Sequence, residues 1–149
     1  MVLAAVLVAF QSVSVPNPVL TPGAVRPLTL KVICSTRWSL DRRHVTEKMK
    51  KQVAAAYGVA WVNHSLYEFD HKIPRELGGA DVTDNIYPQC CRQGNRTIGP
   101  AHQKDVAENR THAAVCDGRI SLHDAQSQMA KDWTVLYRRF VGELPKVVP

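Results

Sequence analysis

A chain of 149 residues with 45% hydrophobic residues is long and apolar enough for one domain with its own core, which excludes a disordered polar chain. A formal net charge of +6 and a pI near 9.4 favour polyanionic partners, phosphate backbones being the commonest, without identifying one.

Residues 1–10 are nearly all Ala, Val and Leu, and residues 11–15 add small side chains of the kind a signal peptidase accepts. Residues 1–15 therefore read as an export signal, since a run of about ten apolar residues is half of what a bilayer span needs. This places the mature chain outside the cell or in its envelope, with no stable membrane span. No Lys or Arg precedes the run, which leaves a buried strand in a cytoplasmic protein as the other reading. Pro16, Pro18, Pro22 and Pro27 follow; each removes a backbone donor, so residues 16–29 are expected to be an extended tether outside the core. The folded domain then covers 30–144, and 145–149 form a tail.

Residues 30–35, with Val32, Ile33 and Cys34 in succession, suggest a short strand, with Trp38 packed nearby. Thr46 is placed to cap a helix on which Met49, Val53, Ala56 and Tyr57 share one face, with Gly58 just past its end. Its outer face carries Lys48, Lys50 and Lys51, with Arg42 and Arg43 upstream. Residues 66–71 alternate as a strand that puts Glu68 and Asp70 on one side. Gly78-Gly79 supplies a reversal, and residues 85–89 return beside the first strand.

After a basic connector over 90–100, Pro100 opens a helix over about 101–115. Lys104, Glu108 and Val115 lie on one side of it, available to the hairpin, and Val106 and Ala113 on another. Ser121 and Asp124 make a capping pattern for a closing helix marked by Leu122, Ala125, Met129, Trp133, Leu136, Tyr137 and Phe140. Four Cys allow three pairings; Cys34 and Cys116, each in an apolar stretch, are the first candidates in an exported chain, while Cys90 and Cys91 fall in the connector.

The pair Asp70-His71 at a strand end, the Gly-Gly turn, Asn85 fourteen positions after His71 and a following helix together resemble the HNH endonuclease motif. Lys104-Asp105-x-x-Glu108-Asn109, Val115-Cys116-x-Gly118, Ala125-Gln126 and Asp132-Trp133, with Thr21-Pro22-Gly23-Ala24 and Ile33-Cys34 upstream, resemble small, often exported, bacterial HNH-type proteins. The resemblance implies an α+β, ββα-metal fold, a hairpin and helix with flanking helices. It implies one divalent cation, Mg²⁺ or Mn²⁺, and hydrolysis of nucleic-acid phosphodiester bonds, DNA first.

His71 would be the general base, its ordinary pKa near 6.5 suiting neutral pH, and Asp70 a hard oxygen ligand. Asn85 would orient the base by bonding the backbone of the motif's loop. Helical ligands are expected in the order Glu108, Asp105, His102. Lys72, Arg75, Arg92, Arg96 and Lys104 are the candidate phosphate contacts. Two other classes remain: a catalytically inactive nucleic-acid-binding or envelope protein of the same fold, and an interaction module stapled by zinc on the four Cys.

Overall fold

The computed structural model describes residues 15–90 and 100–144. The expected export signal up to residue 14, most of the connector with Arg92 and Arg96, and the tail lie outside the described residues.

The order is α1 (Leu30–Ser35), α2 (Glu47–Ala56), β1 (Tyr67–His71), β2 (Ile86–Cys90), α3 (Pro100–Cys116) and α4 (Leu122–Phe140), with short 3₁₀ turns between. Strands β1 and β2 form an antiparallel pair in which Asp70 faces Tyr87 and His71 faces Ile86. This is the expected hairpin, in a chain of mixed α and β structure, and α3 lies against β2 as anticipated.

Paired residues of an antiparallel ladder project to the same face, and neighbours along a strand to opposite faces. Phe69 and Ile86 thus share one face and pack with Val53 and Ala54 of α2. Asp70 and Tyr87 share the other, toward α3. A larger apolar core joins α3 and α4 through Ala107, Ala114, Val115, Met129, Trp133 and Leu136, and reaches Ile73 and Leu77 of the hairpin loop. The small stripe of α3 that meets α4 is Ala107 and Ala114; Ala113, expected there, is exposed.

Helix α2 starts and ends as its sequence implies. The Thr46 hydroxyl accepts from the Met49 N–H at 3.2 Å. Gly58, at φ +68°, lets the Val59 N–H reach back to the Ala54 carbonyl at 2.8 Å. The Ser121 hydroxyl likewise caps α4, whose axis breaks at Asp132; that residue is extended, and its carboxylate accepts from the Thr134 N–H at 2.9 Å to cap the final turns.

Two expectations fail. Residues 30–35 form a helical turn rather than a strand: the Thr29 side chain caps it by accepting from the Val32 N–H, and only Ile33 is buried. Nor do residues 16–29 lie outside the core. Thr21 is fully buried, its hydroxyl 2.7 Å from the Tyr57 hydroxyl and donating to the Ile86 carbonyl at 3.1 Å. The segment also exchanges backbone bonds with the hairpin loop, Arg26 N–H to Gly78 O at 2.7 Å and Ala80 N–H to Ala24 O at 2.9 Å. A turn over residues 17–21, closed by the Thr21 N–H on the Asn17 carbonyl at 2.9 Å, leads into a stretch that retains its carbonyls and remaining N–H groups for docking on another backbone.

The expected Cys34–Cys116 disulfide is formed, with Cα atoms 5.6 Å apart, and ties α1 to the end of α3. With two of the four Cys in a disulfide, a zinc site made from all four is ruled out. Among the described residues no helix is long and apolar enough to cross a membrane.

Candidate active site

One side chain bridges the start and the end of the hairpin loop. Asn85, fully buried, accepts from the Ile73 N–H at 2.9 Å and donates to the carbonyls of Ile73 at 2.9 Å and Ala80 at 3.1 Å. These bonds satisfy buried backbone groups that the loop cannot pair within itself. The loop passes so close to its own start that a Cβ on Gly79 would lie 1.8 Å from the Ile73 carbonyl oxygen. Asn85 thus bonds the backbone just after His71, the contact that the resemblance implied.

His71 is buried, with its Nε2 2.7 Å from Asp81 Oδ1. Asp81 is held below the ordinary carboxylate range despite its burial, because the His44 N–H and His71 itself bond to it. An ionised Asp81 accepts from Nε2–H, which leaves the Nδ1 lone pair as the basic atom of the ring. Burial lowers the imidazole pKa to about 4; the charge of Arg43 pushes the same way, and those of Asp70 and Asp81 oppose it. The ring is therefore neutral at neutral pH. Asp81 escaped the sequence reading because its role depends on a contact across the loop; a carboxylate ten positions after His71, beside Gly-Gly-Ala, carries no local signal of it.

Asp70 points the other way. Its Oδ2 accepts from Lys104 Nζ at 2.6 Å, and the same ammonium donates to the His71 carbonyl at 2.7 Å and to Glu108 Oε1. Burial would raise the Asp70 pKa, but the Lys104 charge and hydrogen bond outweigh it and hold the carboxyl below its usual value. Lys104 is fully buried, and its two carboxylates keep it protonated well above the usual lysine range against the cost of burial. Burial pushes Glu108 up, while the Lys104 charge and hydrogen bond favour its carboxylate form. Asp105, the second expected helical ligand, is exposed; desolvation and the nearby Asp70 and Glu68 raise it to about 6.

The carboxylates of Asp70 and Glu108 do converge, as a ligand pair should, but on an ammonium that already carries the compensating charge. The pair as it stands does not fit a divalent ion. Among the described residues, no three of His, Cys, Asp and Glu gather in a metal-binding group.

The expected phosphate contacts are mostly turned inward. Lys72 is buried and its Nζ donates to the Thr21 carbonyl at 2.6 Å. Arg75 binds the Asp41 carboxylate, the carbonyls of Asp41 and Arg42 at 3.0 and 2.8 Å, and lies 3.5 Å from Asp81. Lys104 is committed as above; Arg92 and Arg96 lie outside the described residues. Those three cations hold the fold. Arg43 is exposed, its charge acts on the His71 imidazole and it donates to the Phe69 carbonyl; Arg42, and Lys48 and Lys51 on α2, are exposed as well. Comparison of the chain with protein-family models, curated proteins and solved structures finds no match.

Proposed function

We propose that the chain is an endonuclease that hydrolyses nucleic-acid phosphodiester bonds, DNA first, with His71 as general base. The observation that carries this reading is the built base: a neutral imidazole whose Nδ1 has no hydrogen-bond partner among the described residues, its Nε2–H held by Asp81 and its backbone fixed by Asn85. Nδ1 takes a proton from water, the hydroxide forms a bond to phosphorus, and the P–O bond to the leaving sugar oxygen breaks, that oxygen taking a proton from solvent. Arg43, exposed and near enough for its charge to act on the imidazole, is the cation placed to meet the phosphate. Segment 41–44 is bonded to Arg75, Asp81 and Phe69, and with His71 itself buried, substrate reaches the ring only if the packing around it moves. No step is assigned to a metal, since Asp70 and Glu108 are spent on Lys104. The Cys34–Cys116 bridge supports an oxidising compartment, the cell envelope or outside.

A second reading is favoured by the Lys104 pairing: the same fold kept as a non-enzymatic nucleic-acid-binding or envelope protein. Supercoiled plasmid incubated with purified protein in Mg²⁺, Mn²⁺ or EDTA separates the two. Cleavage that falls by a factor on the order of 10² to 10⁴ in His71→Ala supports the nuclease. Wild-type protein that binds plasmid without nicking it in any of these buffers supports the second reading instead.

A further inference from the structure

We propose that Lys104 is a built-in substitute for a divalent cation, and that removing its amine turns the Asp70–Glu108 pair into a site for a hard divalent metal ion. The inference goes beyond the nuclease reading and does not rest on it. A lysine ammonium has three N–H donors, and here it has three oxygen acceptors: Asp70 Oδ2 at 2.6 Å, the His71 carbonyl at 2.7 Å and Glu108 Oε1. Two carboxylates and a backbone carbonyl are also the donor chemistry that Mg²⁺ and Mn²⁺ take. The oxygens come from β1 and from α3, so whatever cation sits between them pins the helix to the hairpin.

Lys104 and Glu108 lie one turn apart on α3, so a single helix supplies both the cation and one of its counter-charges. Lys104 is fully buried and Asp70 nearly so, leaving the ammonium no solvent to retreat into. A divalent ion entering beside it would meet a like charge and would have to displace a buried side chain. The wild-type chain is thus complete without a metal at this point, and the ββα arrangement is held by a covalently attached charge.

The test measures Mn²⁺ binding by titration calorimetry and thermal unfolding in Mn²⁺ and in EDTA, on the oxidised full chain. The wild type is expected to unfold at the same temperature in both and to show no Mn²⁺ binding that Asp70→Asn removes. Lys104→Ala in EDTA is expected to lose on the order of 10 °C, the scale of breaking a buried ion pair in a chain of this size. In Mn²⁺ it should recover part of that loss and bind the ion, and Asp70→Asn in the same chain should abolish both effects. Wild-type Mn²⁺ binding that depends on Asp70 would overturn the proposal, as would a folded Lys104→Ala that takes up no Mn²⁺. If neither Lys104→Ala nor Lys104→Ser folds in Mn²⁺, the proposal also fails, because an ion able to take the ammonium's place would support the fold. No nucleic acid enters these measurements, so a plasmid left uncut would remove the nuclease reading and leave this inference intact.

Discussion

At the scale of single residues, the environment of His71 changes what its ordinary titration implies. An imidazole with its usual pKa near 6.5 would make cleavage fall below that pH, but burial moves the folded value to about 4. The imidazole then stays neutral through the mildly acidic range, and under the proposed nuclease function protonation of His71 should not limit plasmid cleavage until the pH nears 4. Stability should respond instead. With the folded pKa depressed, the unfolded chain binds more protons between pH 4 and 6.5, so this group's contribution is fully present above 6.5 and is lost as the pH falls toward 4. The shift corresponds to about 3 kcal/mol at most. Asp105, raised to about 6, works in the opposite sense over part of this window, but its side chain is exposed and solvent screens it. The measurement is a urea midpoint followed across this pH range in wild type and His71→Gln. The wild-type decline should be larger, and parallel curves would show that the ring does not titrate as described.

At the scale of elements, the hairpin was the most legible part of the chain, because its signals are local, alternation for the strands and Gly-Gly for the reversal; the Asn85 contact was implied by the resemblance. The loop's tolerance should be correspondingly low. Asn85→Ala leaves the Ile73 N–H and C=O buried without partners, at about 1–3 kcal/mol for each group. Gly79→Ala should cost more, since its Cβ would lie 1.8 Å from a backbone oxygen that can yield only by moving the loop. Denaturation of both variants should rank Gly79→Ala below Asn85→Ala, and a Gly79→Ala of wild-type stability would contradict the loop geometry. Residues 30–35 were misread for the complementary reason. Val32 and Ile33 read as strand, whereas the outcome is decided by the Thr29 cap and by the disulfide from the next residue to α3, neither of which alternation records. Lys72, Arg75 and Lys104 were expected to meet phosphates because nothing local distinguishes a buried, paired cation from one free to bind a ligand.

At the scale of the whole molecule, the N-terminal segment and the disulfide act on the hairpin loop together. Residues 16–29 bond to the loop through Thr21, Ala24 and Arg26, and the chain then enters α1, whose Cys34 is bridged to Cys116 at the end of α3. That helix carries Lys104, which in turn holds Asp70, so the bridge closes a circuit around the candidate site. Its sequence separation of 82 residues makes the unfolded chain pay heavily for closure, about 4.5 kcal/mol by loop entropy, with measured bridges commonly contributing about 2–4. Reduction, or Cys34→Ser with Cys116→Ser, should therefore lower the unfolding temperature by on the order of 10 °C. The loss should also be uneven. Beyond the global effect, amide exchange should quicken first at Ala24, Arg26 and Ala80, whose N–H groups join the segment to the loop, and least around Ala125 and Met129, in the unbroken first part of α4, which packs on α3 without help from the bridge. Uniform acceleration across the chain would mean that the bridge stabilises only by restricting the unfolded state. Exchange concentrated at those three amides would show that it also holds the N-terminal segment against the loop that carries His71.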